Sequence, residues 1–291
     1  MIKYPNKTIE LLLERASCRA FTNKKIPKDV LEYILKTGIH AATGGNLQPY
    51  SIIKIEKQAT KRRIAKLAGQ GFIADAPVNL LFCIDWRRLE RWAKLEMAPF
   101  TAASSFRHFW ISFQDTIITA QSICTAADAM SLGSVYIGTV IEFFLILKRM
   151  LKLPRGVMPV VLLCIGYPKK KTTPHSKLGI DAIVHNETYQ ELSDKELLKA
   201  FNQKYAGIKI DITPKRLKMI EQVCREVAGE KFAKQCIERI KKQGYISRAQ
   251  MYFGLHYIAH KMPLQNEKYL RTFENFGFNW FKKYKPYRVK D

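Results

Sequence analysis

From Phe113 to Met130 the chain is apolar over five helical turns. Ile117, Ile118, Ala120, Ile123, Cys124 and Ala127 leave this segment no wide polar face. A helix that is apolar almost all round must be covered on most sides, so it belongs in a core or in a subunit interface. The rest of the chain has to supply that cover, and three other stretches fit the task. Tyr50–Ile55 is rich in β-branched residues and reads as a strand. Val78–Ile84, introduced by Ala76-Pro77, and Pro159–Ile165, ended by Gly166-Tyr167-Pro168, read as strands buried on both faces.

Helices flank these runs. Ile9, Leu12 and Leu13 share one face of an amphipathic start over 7–15. Pro27 suits a first helical turn, and Val30, Leu31, Ile34 and Leu35 form the buried stripe of a helix running to about Ile39. A basic helix is expected at about 58–68, another over Glu142–Leu151, and one at about 194–204 capped by Ser193. With 291 residues, 47% of them hydrophobic, the chain can bury one large core or two modest ones. No uncharged apolar run reaches membrane-spanning length, and Met1–Pro5 lacks a secretory apolar stretch. The expected location is the cytoplasm, with no membrane partner. The six cysteines show no Cys-x-x-Cys pair and suggest neither a disulfide framework nor a zinc site.

The net charge of +24 draws anionic ligands. It is spread along the chain without long arginine runs, so nucleic acid is not expected as the main partner. His256 and His260 have a metal-like i,i+4 spacing, but the residues between them read as core and no metal is assigned. Neither Gly-x-Gly-x-x-Gly nor Gly-x-Ser-x-Gly occurs, which argues against a Rossmann cofactor site and a hydrolase elbow.

Short motifs carry more specific chemistry. Arg15-Ala16-Ser17-Cys18-Arg19 offers two guanidiniums and a hydroxyl, and guanidinium pairs well with phosphate. If this segment coils, Arg15 and Arg19 lie one turn apart on one side. Thr43-Gly44-Gly45-Asn46-Leu47-Gln48 lies at a helix-to-strand junction. Its side-chain amides donate and accept at once, and its glycines permit close backbone approach. Leu132–Gly138 closes the long apolar helix and reads as glycine-bearing backbone for a flat ligand, or else as a plain loop between helices.

Five segments in order, "RASCRAFTNKKIP", "AATGGNLQPYSIIKI", "LAGQGFIADAPVNLLFCID", "AADAMSLGSVYIG" and "LKLPRGVMPVVLLCIGYP", make residues 8–205 resemble the nitroreductase family of FMN-dependent oxidoreductases. The resemblance is strongest to its NADPH-dependent nitroreductase and flavin reductase branch. It implies an α+β fold, a small and mainly antiparallel sheet wrapped by helices, in a homodimer with the 113–130 helix at its centre. FMN is the implied cofactor, with NAD(P)H and a small electron-poor acceptor as partners in ping-pong turnover. By the same resemblance Arg15, Ala16, Ser17 and Arg19 meet the phosphate, ribityl or ring-edge oxygens. Thr43, Gly44 and Asn46 meet the ring, and Gln70 its edge. Tyr136, Ile137 and Gly138 form the strip beneath it, with the Gly138 N–H directed at flavin N5. Lys177 fits the second place of a basic pair closing the phosphate site.

Departures are plain too. The hydroxyl usual after Thr43 is lost to Gly44, and His175 stands where a lysine is common. Lys169–Lys171 either draw in nicotinamide phosphates or are a solvated run. No side-chain acid or base is named as catalytic. The family fold leaves open other flavin chemistry, such as dehalogenation or flavin fragmentation, and a non-enzymatic FMN-binding module. Residues 1–205 read as the FMN-binding domain and 206–291 as a basic helical extension. Helices are expected in that extension at about 214–228, 230–243 and 246–260, with a last aromatic one around Tyr269–Trp280.

Overall fold

A computed structural model describes residues 4–286. The chain forms two compact units. The first runs to Pro174 and resumes at Leu270, and the second is His175–Tyr269. The sequence boundary expected at 205/206 thus lies inside the second unit.

The first unit contains, in order, α1 (Lys7–Glu14), α2 (Lys28–Ile39), β1 (Tyr50–Ile55), α3 (Gln58–Ala68) and α4 (Phe72–Asp75). It continues with β2 (Val78–Asp85), α5 (Trp86–Leu95), α6 (Phe106–Ala129), β3 (Gly133–Ile137), α7 (Phe144–Met150) and β4 (Val157–Gly166). Side-chain caps start several helices: Asn6 accepts from the Ile9 N–H, Asp85 from Arg88 and Ser105 from His108.

The sheet has four strands in the order β1-β2-β4-β3, every pair antiparallel. Strand β2 is buried at all eight positions, as its unbroken apolar run requires. Its side chains alternate between two cores, as the two-residue period of a strand dictates. Val78, Leu80 and Phe82 pack with Leu31 and Ile34 of α2 and Ala120, Ile123 and Ala127 of α6. Leu81 and Cys83 face the opposite layer, with Phe144, Leu147, Phe276 and Phe278. Helix α2 comes close to α6 at Gly38, where an added Cβ would lie 2.5 Å from the Ile123 side chain.

Two expectations are corrected here. The segment after α6 is neither a plain loop nor the closing turn of a helix. Gly133–Ile137 is an edge strand, with Val135 opposite Cys164 of β4. Its β-branched residues flanked by glycines were too short a run to separate from a helix end by periodicity. The expected helix over Glu142–Leu151 is reached through a 3₁₀ segment, Gly138–Phe143, and becomes regular only at Phe144.

The second unit holds α8 (Asp194–Lys204), α9 (Pro214–Gln243) and α10 (Arg248–Met251). A capping box between Ser193 and Glu196 opens α8. Helix α9 is broken at Gly229, whose φ of 84° and ψ of 175° are not helical, so the two expected helices appear as its halves. The expected helix over 246–260 is instead α10 followed by a π-helical turn, Tyr252–His256. Ile220, Ile240 and Ile246 form the core of this unit. The final helix, α11 (Asn266–Asn275), crosses the division between the units.

The aromatic tail belongs to the first core. Phe276 and Phe278 are fully buried, and Phe278 stacks on Trp86 with ring centroids 4.4 Å apart. Phe278→Ala should therefore destabilise the first unit by about 3–5 kcal/mol, the usual cost of emptying a large aromatic site. Urea unfolding followed by tryptophan fluorescence checks this, and a change below about 1 kcal/mol would mean the tail is dispensable to that core.

Candidate functional site

Helix α1 ends at Glu14, and Arg15 takes an extended conformation with φ −61° and ψ 129°. The expected coil over 15–19 is therefore replaced by a strap along the edge of the sheet. Ser17 bridges to Ser134 of β3, and the Cys18 N–H donates to the Ser134 carbonyl at 2.9 Å. Further on, Phe21 bridges to Pro168, and the Lys169 N–H donates to the Ala20 carbonyl at 2.9 Å. Pairing with strand backbone on both sides outweighs any helical tendency in so short a stretch. Residues two apart then share a side, so Arg15, Ser17 and Arg19 still fall together. Cys18 is buried between them, while Arg19 is exposed and makes no hydrogen bond or ion pair among the described residues.

Arg15 is partly committed. Its Nε lies 3.5 Å from an Asp128 carboxylate oxygen, an ion pair too long for a good hydrogen bond, and an Nη donates to the Ser134 hydroxyl at 3.4 Å. Burial pushes the Asp128 carboxyl up to about 6, against the opposing pull of Arg15. Ala16 and Ser17 are half-buried on the same strap.

The Thr43–Gln48 turn is held from three directions. Both Asp115 carboxylate oxygens lie 3.1 Å from the Gly44 N–H, which donates to them. The Thr43 hydroxyl accepts from the Gln48 N–H at 3.3 Å, so it serves its own turn. Arg88 donates to the Gln48 and Tyr50 carbonyls at 2.7 Å each. The backbone enters the left-handed region at Gly45 (φ 59°), Asn46 (φ 54°) and Gln48 (φ 49°), a conformation that glycine and asparagine accept more readily than glutamine. Asn46 is exposed. The missing hydroxyl at position 44 has a steric reason. A Cβ there would meet the Ile111 Cγ2 at 2.7 Å, and a β-branched methyl cannot swing aside cheaply. Beside this turn a cavity of about 350 Å³ opens, walled by Trp86, Phe100 and Ile111 with Asp115 at its polar end. Asp115 is buried, which raises its pKa, while the Gly44 N–H opposes that rise.

The third group forms at the end of β3. Gln70 donates to the Thr139 hydroxyl at 3.4 Å, which draws the α3–α4 turn beside Gly138. Gly138 is exposed, with open space where a side chain would be. Ile137 is buried, and the Tyr136 hydroxyl donates to Gln121 of α6 at 3.3 Å. Burial holds the Tyr136 phenol well above its ordinary pKa, hence neutral. Lys177 falls in the second unit, where it is exposed.

The structure therefore joins the strap to β3, and Gln70 to the segment holding Gly138. The Thr43–Gln48 turn stands apart from the strap. Their anchors on α6, Asp115 and Asp128, are thirteen residues apart, about 20 Å at 1.5 Å per residue. The anchors Asp115, Asp128, Arg88 and Thr139 were missed in the sequence. Asp115 and Asp128 left a visible signal, two carboxylates inside a nearly all-apolar helix.

The family model described as "Nitroreductase family" matches residues 12–167. The oxygen-insensitive NADPH nitroreductase of Salmonella typhimurium is 30% identical over 200 residues, 68% of this chain and 81% of its own length. The NADPH-flavin oxidoreductase of Vibrio harveyi is 31% identical over 189 residues, 65% of this chain and 77% of its own. Among solved structures, the hypothetical oxidoreductase YcnD from Bacillus subtilis is 25% identical with a TM-score of 0.72, covering 94% of this chain and 98% of that one.

One titration follows from this geometry. A carboxyl whose folded pKa is raised from 3.8 to about 6 contributes stability below pH 4 that is lost as the pH rises through 6. The stability of the native protein relative to Asp128→Asn should fall between pH 4 and pH 6 and level off above. Urea unfolding of both proteins across pH 4–7 measures it, and a constant difference would refute it.

Proposed function

Because the chain belongs to the nitroreductase family, we propose that it is an FMN-dependent oxidoreductase taking electrons from NAD(P)H to a small electron-poor acceptor, such as a nitroaromatic, a quinone or a flavin. The observation that carries the reading is Arg19. An exposed guanidinium without a partner among the described residues, on a strap pinned at both ends, is a preset receptor for a phosphate. Arg15 adds a second guanidinium, already oriented by Asp128 and Ser134. The overall charge of +24 favours the approach of FMN and of a nicotinamide cofactor, both anionic.

The donor set fits the rest of FMN. Gly138 offers backbone without a covering side chain, as close contact with a planar ring requires. Its N–H is the proposed donor to flavin N5, and Gln70, held by Thr139, is the amide for the pyrimidine edge. Bound FMN supplies the hydride chemistry, while the protein orients the ring and stabilises developing charge through fixed donors. The neutral Tyr136 phenol, hydrogen-bonded to α6, stiffens the strand that carries Gly138. No side chain is assigned as proton donor.

The Thr43–Asn46 turn takes a different part. Its distance along α6 from the strap supports a site in which this turn serves the flavin held by a second copy of the chain. The outer face of α6 supports the same arrangement, since Phe106, Trp110, Phe113 and Ile118 are each 40% or more exposed. We infer a homodimer with two composite sites. Sedimentation of the flavin-bound protein at micromolar concentration should give twice the chain mass, and a flavin-retaining monomer would refute the composite site.

The protein should purify yellow, with close to one FMN per chain, and bleach anaerobically on addition of NADPH or NADH. Arg19→Ala should weaken FMN binding by about 2–3 kcal/mol, the scale of a charge-assisted contact. Titration of the apoprotein by flavin fluorescence measures it. Unchanged affinity would remove the phosphate assignment, and tight FMN without bleaching would favour a flavin-binding module over an enzyme.

A further inference from the structure

Asp115 is a carboxylate only 4% exposed, in a chain with a net charge of +24, and it forms no ion pair among the described residues. Its hydrogen-bond partner is the Gly44 N–H, which lies 3.1 Å from both of its oxygens. A buried carboxylate without a counter-charge is costly. It also has about four lone-pair sites, of which a single N–H uses only a part.

Asp115 forms part of the wall of the cavity of about 350 Å³ beside the Thr43–Gln48 turn, which falls in the size range of small-molecule sites. The rest of that wall is mainly aromatic and aliphatic. Trp86 is a fixed part of it: its indole N–H donates to the Ser112 hydroxyl at 2.9 Å, and Phe278 stacks on its ring. Phe100 is half-buried, and Trp92, 56% exposed, stands where the cavity meets solvent. No lysine or arginine lines the cavity. His108 is the other titratable residue on the wall, and its Nδ1 lies 2.9 Å from the Ser105 hydroxyl. Aromatic walls, one buried carboxylate and no basic side chain are complementary to an organic cation and opposed to an anion. The cavity is thus the chemical opposite of the strap that carries Arg15 and Arg19.

We propose that this cavity binds a small primary amine with an apolar body, its ammonium hydrogen-bonded to Asp115 and its body against Trp86, Trp92 and Phe100. The ammonium supplies the counter-charge that the protein does not, and the aromatic walls favour both the cation and the body attached to it. A neutral molecule of the same shape leaves the carboxylate uncompensated, and an anionic one meets repulsion. All residues of the site belong to the first unit of one chain, so the assignment stands whether or not the flavin reading holds.

The test uses the full chain as purified and isothermal titration calorimetry with three probes of similar shape: phenethylamine, phenethyl alcohol and hydrocinnamate. The amine should bind about tenfold more tightly than the alcohol, the scale of one charge-assisted hydrogen bond, and hydrocinnamate should not displace it. Asp115→Asn should lower the amine to the affinity of the alcohol and leave the alcohol unchanged, since an amide oxygen there still accepts from the Gly44 N–H. Ala93 of α5 borders the cavity, and Ala93→Trp should fill it and abolish binding of both. Equal affinity of the native chain for amine and alcohol, no amine binding at millimolar concentration, or undiminished amine binding by folded Ala93→Trp overturns the proposal. The comparison of probes on the native chain decides even where a variant fails to fold.

Discussion

Helix α6 is the member on which the other parts of the first unit depend, and it acts through polar groups set into an apolar surface. Ser112 accepts from the Trp86 indole at 2.9 Å, Asp115 accepts from Gly44, Gln121 accepts from Tyr136, and Asp128 pairs with Arg15. A buried polar atom has few ways to be satisfied, so Ser112 and Asp115, both buried, fix their partner segments more narrowly than apolar contact could. The apolar surface between them packs on β2 and α2 and supplies the burial that makes those constraints costly to break. The helix thus sets three positions at once: where the strap lies, where the Thr43–Gln48 turn is held, and how the strand carrying Gly138 is backed.

The three positions differ in kind. The strap is held chiefly by backbone pairing, and the Arg19 side chain on it is left exposed. The Thr43–Gln48 turn is held by side chains reaching its backbone, and it tolerates three residues in left-handed conformations. Such a turn persists only where its surroundings overdetermine it, here through Asp115, Arg88 and the Thr43 hydroxyl. Gly44 shows how this departs from the family pattern. Ile111 leaves no room for a side chain at 44, and the carboxylate of Asp115 secures the turn through the Gly44 N–H.

Much of the architecture was legible in the sequence because strand β2, strand β4 and helix α6 are long, apolar runs with clear periods. Their ends moved by a few residues, and the sheet proved antiparallel throughout. Strand β3 escaped because four residues between Gly133 and Gly138 carry too little periodicity to announce a strand. Its pairing with β4 is a tertiary fact, as is the extended course of Arg15–Arg19, which local spacing suggested could coil. The tail divided for a similar reason. Helical spacing and aromatic content described Leu217–Val227 and Phe273–Phe281 equally well, but spacing does not say which core a segment joins. Phe276 and Phe278 join the first, while Ile220 and Val223 are buried in the second unit. At the candidate site the residue types were readable and their anchors were not, since Asp128 and Thr139 gain meaning only from what folds against them.

The length of α6 has a further physical consequence. Arg15 and Gly44 are tied to points about 20 Å apart on one helix. In the dimer proposed above, two copies of α6 would run so that the Asp128 end of one meets the Asp115 end of the other. A two-fold axis satisfies this for both sites at once, because an isologous contact repeats every pairing in reverse. The exposed aromatic side chains of Phe106, Trp110 and Phe113 lie at the Asp115 end of the helix, where such a contact would cover them. In that proposed dimer, the spacing that separates the motifs within one subunit would set them on one ligand between two.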